Sequence, residues 1–159
     1  MKKWLTVFSA SLLLLLSGCS YLNTAADTLD YVKEATSYAA TLDNFAAETP
    51  PLIKQVVDNQ VEADELTAQL QQMKNEIQSF NTLDVPETVK GFHQEIIEQN
   101  NLLIQQIDLY LKDLKDGKLN PSTLENSKLL QPVQEITTII EQIQKLGAQV
   151  NETLGTIGA

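Results

Sequence analysis

The chain contains no arginine, a single cysteine (Cys19), a single histidine (His93) and a single tryptophan (Trp4), and aromatic residues make up only 6% of its 159 positions. Each shortage closes a route to function. Without arginine, and with its lysines placed one by one among carboxylates, the chain lacks the clustered cations that neutralise nucleic-acid phosphates, so no nucleic-acid partner is expected. A lone cysteine cannot form an intramolecular disulfide, and one cysteine with one histidine cannot assemble a zinc site. The serines have no histidine partner other than His93, and no Gly-x-Ser-x-Gly elbow occurs, which argues against nucleophilic catalysis. A ferritin-like Glu-x-x-His pair is also missing, because Lys90 stands three residues before His93. His93 is therefore expected at the surface or boundary of the fold, and no catalytic residue, metal or cofactor is assigned.

Acidic residues outnumber lysines 21 to 11, giving a net charge of −10. Glu62, Asp64 and Glu65, and likewise Glu95 and Glu98, are close enough to share a local field, but carboxylates so placed on amphipathic helices form solvated faces. No loop shows the oxygen-ligand spacing of a calcium site. The excess charge should keep the folded part soluble and away from an anionic membrane surface.

What the chain does have is an apolar, Leu-rich run from about Trp4 to Leu16, preceded by Lys2 and Lys3 and closed by Leu16-Ser17-Gly18-Cys19. The run falls short of the roughly 20 apolar residues that a spanning helix needs, and a basic start followed by a short apolar region is the pattern of an export signal. Leu16, Ser17, Gly18 and Cys19 resemble the lipobox of bacterial lipoproteins at all four places. That resemblance implies diacylglyceryl transfer to the Cys19 thiol and cleavage between Gly18 and Cys19. The protein would then sit lipid-anchored at the outer face of the bacterial plasma membrane. An ordinary secretory signal is the competing reading, but it leaves the position of the only cysteine to chance. At about 0.8 kcal/mol per buried methylene, one acyl chain holds marginally and two hold stably. The expected organisation is a signal peptide over residues 1–18, a lipidated tether over 19–26 and a helical bundle domain over 27–159. The tether would reach about 20–25 Å if extended.

The remainder divides at its prolines, Pro50-Pro51, Pro86, Pro121 and Pro132. A first helix is expected over about 27–47, with Leu29, Val32, Ala35, Ala39, Leu42 and Ala46 on one face and a stop at Thr49-Pro50-Pro51. A second, over about 51–80, carries Val56, Asn59, Ala63, Leu66, Leu70, Met73, Ile77 and Phe80 in alternating steps of three and four, a heptad seam. A third follows Pro86 with Val89, Phe92, Ile96, Leu103, Ile107 and Leu114 and ends near Gly117. A fourth starts at Asn120 or Ser122, with Glu125 completing a capping box, and buries Leu129, Val133, Ile136, Ile140, Ile143 and Val150. Pro132 should kink or break it near Gln131. Short connections between helices imply antiparallel neighbours, so the expected fold is all-α, an up-down four-helix bundle. The alternative is a three-helix bundle with the Ala- and Thr-rich first helix loosely attached.

Two further features suggest roles. Tyr31, Tyr38 and Phe45 stand seven residues apart, on one line of the first helix. They are read either as bundle packing or as a docking strip for a partner, with the first helix as the working and least stable element. Asn59, Gln99 and Asn100 form a polar set that would fix helix register or line a small cavity.

The Lys-Lys start, the lipobox, the absence of arginine and the Gln/Glu/Lys-rich helices resemble the small uncharacterised helical lipoproteins of Gram-positive, Bacillus-type bacteria. The stretch Val85-Pro86-Glu87-Thr88-Val89-Lys90-Gly91-Phe92-His93 is similar to the turn-plus-helix of several such domains. These resemblances carry no catalytic residue across. The expected function is a non-enzymatic, membrane-anchored envelope module that interacts with another envelope protein or plays a structural part. The alternative is a small-ligand binder with its pocket beside Asn59 and Asn100.

Overall fold

The computed structural model describes residues 2–59, 63–115, 119, 121–125 and 128–157, with the backbone alone for 2–22, 122, 125 and 157. The helices are α1 (Lys2–Val57), α2 (Ala63–Asn81), α3 (Lys90–Lys115), α4 (Pro121–Glu125) and α5 (Gln131–Ile157). Cross-helix contacts fix their directions. Glu48 meets Gln69 while Tyr38 meets Phe80, so α2 runs against α1. Thr36 bonds Gln144 and Val32 lies against Gly147, so α5 also runs against α1. Tyr31 meets His93 and Tyr38 meets Asn100, so α1 and α3 are parallel. This is the up-down four-helix bundle, with the one-turn α4 set into the last connection.

The seams of α2 and α3 follow from their spacing. Leu66, Leu70, Met73, Ile77 and Phe80 of α2 are buried in steps of four and three, and α3 buries His93, Ile96, Asn100, Leu103, Ile107, Tyr110 and Leu114 in the same rhythm. Asp64 and Glu65 sit in the first turn of α2 and Lys112 and Lys115 in the last turn of α3, where each suits the helix dipole. Pro132 breaks the expected fourth helix in two: it occupies the first turn of α5, where a missing N–H costs nothing. Gly117 and Asn120, and the side chains of Ser122 and Glu125, lie outside the described residues.

α1 departs from expectation along its whole length. It passes through Pro50 and Pro51 without ending. Both prolines are exposed, so the carbonyls of Ala46 and Ala47, which lose their helical donors there, lie on the side that water reaches. Leu52, Ile53 and Val56 beyond them pack against the core, and that burial carries the helix on. The stop comes eight residues after Pro51, at Asn59, which has a φ of 55° and is exposed. Asparagine tolerates that left-handed cap. The 30-residue second helix is therefore two pieces: Val56 lies in the last turn of α1, Asn59 turns the chain, and the seam of α2 starts at Leu66.

The expected tether is helical too, and packing already begins at Ala25 and Thr28. Thr28, Tyr31, Ala35, Tyr38, Leu42, Phe45 and Thr49 form a buried seam of steps of three and four, so α1 is a full member of the core and the three-helix alternative is corrected. Its alanines let neighbours approach closely and its aromatics fill the space that results.

α1 and α5 approach closely at Gly147. A Cβ built on Gly147 would lie 2.9 Å and 3.0 Å from the two γ-methyls of Val32, whose branched side chain has one strongly preferred helical rotamer. Overpacking costs about 1–3 kcal/mol, while alanine gains about 0.5–1 kcal/mol over glycine within a helix. Gly147→Ala should therefore lower stability by up to about 2 kcal/mol in the parent chain. In a Val32→Ala background the same change should raise stability. Urea unfolding of the four chains of this cycle checks the reversal, and one sign in both backgrounds would refute the close contact.

Candidate functional site

The polar groups that the bundle brings together form a ladder through its interior. Each rung pairs a tyrosine of α1 with a residue of α3 that lies 62 positions further along the chain. In the first rung the Tyr31 hydroxyl lies 2.9 Å from His93 Nδ1. In the second the Tyr38 hydroxyl donates to Asn100 Oδ1 at 2.6 Å, and Asn100 Nδ2 donates to Asn81 Oδ1, also at 2.6 Å. The backbone of the same Asn81 lies beside the His93 imidazole. The buried Tyr31 hydroxyl meets no other acceptor among the described residues, so its O–H donates to Nδ1 and the ring hydrogen sits on Nε2. Phe80 fills the space between the rungs. Its ring stacks on Tyr38 with centroids 4.1 Å apart and an interplanar angle of 14°, and it also touches Tyr31 and His93. One turn closer to the N-terminus, the hydroxyls of Thr28 and Thr88 meet at 2.7 Å.

Burial governs the electrostatics. Tyr31, Tyr38 and His93 are 3%, 5% and 6% exposed, and Asn100 is fully enclosed. Burial pushes both phenols far above the usual tyrosine range; at Tyr38 the Asn100 bond acts against this and the Glu76 charge adds to it. Burial also holds the His93 imidazole below its ordinary value, with the Asn81 backbone pulling the other way. At neutral pH the ladder is thus uncharged and paired within itself. Such an arrangement fixes the register of α1 against α2 and α3, and it presents no group to a substrate.

Several sequence expectations are corrected by these positions. Tyr31, Tyr38 and Phe45 are core residues and not an exposed strip, because the line they share is the side of α1 that faces α2 and α3. His93 is buried, with the Tyr31 hydroxyl as the partner of its Nδ1. Asn59 stands exposed in the turn after α1, Gln99 is half-buried and only Asn100 is enclosed, so the three share no cavity. Asp64, Glu65, Glu95 and Glu98 are exposed, while Glu62 and the Cys19 side chain lie outside the described residues. Among the described residues, no three His, Cys, Asp or Glu side chains converge as a metal site, and no helix is long and apolar enough to cross a membrane. The ladder itself had one signal in the sequence, the equal seven-residue spacing of Tyr31 and Tyr38 on one helix and His93 and Asn100 on another.

Outside the core the surface offers shallow grooves. One of about 350 Å³ runs beside Tyr31 between α1 and the 82–89 turn, edged by Asp27, Asp30, Glu34 and Asp84. Among the described residues, Leu102 and Leu109, one heptad apart on α3, are exposed leucines at 46% and 50%. Two side chains are too small an apolar area to mark an interface.

Residues 31–146 match a family of unknown function, DUF6376. The chain belongs to that family. The DUF6376 match opens on Tyr31 and includes Tyr38, Asn81, His93 and Asn100, so the whole ladder lies within the family's extent. Over 147 residues the chain is 35% identical to the uncharacterised lipoprotein YybP of Bacillus subtilis strain 168, an alignment that covers 92% of this chain and 99% of that relative. No solved structure matches the chain.

Proposed function

We propose that this DUF6376 member is a lipoprotein held at the outer face of the plasma membrane by diacylglycerol on Cys19. Its bundle serves there as a non-enzymatic interaction or structural module of the cell envelope. The observation that carries the reading is the Leu16-Ser17-Gly18-Cys19 motif, which ends at the only cysteine of the chain. A relative of matching length that is itself named a lipoprotein supports it. The non-enzymatic part is supported by the ladder, whose polar groups spend their hydrogen bonds on one another. Because α1 is helical from the anchor to Ala25, the first buried residue among the described side chains, the bundle would stand only about 10 Å from its lipid, at 1.5 Å per residue.

The test is Cys19→Ala expressed in the native host. The variant should leave the membrane fraction or accumulate as uncleaved precursor, while the bundle keeps its helical content and melting temperature, since the role of Cys19 in this reading is to carry acyl chains. Normal processing with unchanged membrane retention would overturn the anchor.

A further inference from the structure

We propose that the Tyr31–His93 contact is an acid-sensitive latch, which holds the first packed turns of α1 on the bundle and releases them when the surroundings acidify. The geometry carries it. His93 Nδ1 accepts from the buried Tyr31 O–H, which meets no other acceptor among the described residues, so the ring's own hydrogen sits on Nε2. A proton added to the imidazole can go only to Nδ1, and both groups of the 2.9 Å contact then carry a hydrogen. The phenol must turn its own hydrogen elsewhere, in a position that is almost closed to water.

The charge so formed finds no partner. From α1, Asp27, Asp30 and Glu34 line the groove beside Tyr31 and are exposed, and none bonds the imidazole. The turn contributes Asp84 and Glu87, both exposed, the latter paired with Lys90. α2 brings Phe80 and Asn81 to the ring, with exposed Glu76 acting one rung away on Tyr38. Along α3 itself Lys90 and Glu95 are exposed, as are Lys145 and Glu152 at this level of α5. A buried cation without an ion pair is costly, and the burial that depresses the imidazole is the same cost seen from the proton's side.

The consequence falls on α1 because of what precedes Tyr31. Among the described side chains, the buried residues nearer the N-terminus are the small Ala25 and Thr28, and Tyr31 is the first large anchor among them. Further along, Tyr38, Leu42 and Phe45 hold independently. In the native state the imidazole binds its proton below the unfolded value of about 6.5, so the unfolded chain takes up more protons in acid. Stability from this contact is complete above about pH 6.5, falls as the pH drops below it, and levels off once the native imidazole is itself protonated. Only the setting of the latch rests on the anchor proposed above, which exposes the bundle to external pH. The latch is tested on purified protein, where failure of the anchor has no influence.

His93 is the only histidine, so the full chain in detergent micelles gives a single imidazole signal by NMR. That signal should titrate below 6.5, and amide protection over residues 25–38, corrected for intrinsic exchange, should fall through the same midpoint. The unfolding constant in urea should rise between pH 7.5 and 5.0 by at most about 30-fold, the ratio set by 1.5 pH units. His93→Gln should abolish that rise, and Tyr31→Phe, which removes the donor to Nδ1, should move the imidazole midpoint upward. Titration at or above 6.5, unchanged α1 protection through the titration, or a rise that persists in His93→Gln would each overturn the latch. Should His93→Gln fail to fold, the parent titration, its amide protection and the Tyr31→Phe shift decide the matter alone.

Discussion

Tyr38→Ala should destabilise the bundle by about 3–5 kcal/mol, the range for deleting a buried aromatic ring. The ring is 5% exposed and lies flat against Phe80, and such a pair adds about 0.5–1.5 kcal/mol to the area it buries. The hydroxyl adds a second loss, because its removal leaves the enclosed Asn100 Oδ1 without its donor. Tyr38→Phe keeps the stack and isolates that term, with an expected cost of about 1–3 kcal/mol. Urea unfolding followed by circular dichroism measures both. If Tyr38→Ala cost less than about 1 kcal/mol, α1 would be a peripheral helix with an available aromatic strip, and its place in the core would be wrong.

Leu70→Ala should cost about 2–5 kcal/mol, since the leucine is fully enclosed at the middle of the α2 seam and the surroundings cannot collapse onto the gap without moving helices. Glu65→Ala, on the exposed face of the same helix, should change stability by less than about 0.5 kcal/mol. The contrast between the two is the test. Equal and small effects would make α2 a solvated rod.

The two changes sample helices of different legibility. Around Leu70 the apolar residues recur by threes and fours with polar residues between them, and an isolated reading of α2 or α3 already selects the buried face. In α1 the sequence offers two lines at once: Leu29, Val32, Ala39 and Ala46 on one, Tyr31, Tyr38 and Phe45 on the other, with Ala35 and Leu42 near both. Aliphatic residues favour the first line, yet the second is buried. Tyrosine hydroxyls can enter a core when acceptors await them, and those acceptors sit 62 residues away on α3.

The same limit explains Pro50-Pro51 and His93. A proline pair is a local argument for ending a helix, and it loses to the non-local burial of Leu52, Ile53 and Val56 beyond it. A lone histidine with no metal-ligand partner in the sequence reads as a surface residue until a phenol is placed at its Nδ1. By itself, then, the sequence determined the helical class and the seams of α2 and α3, because each is written in residue types or in spacings within one segment. Only the tertiary structure decided which face of α1 is core, where α1 stops and that His93 is buried, because each turns on a partner from another helix, and a polar group's burial is favourable only once that partner is in place.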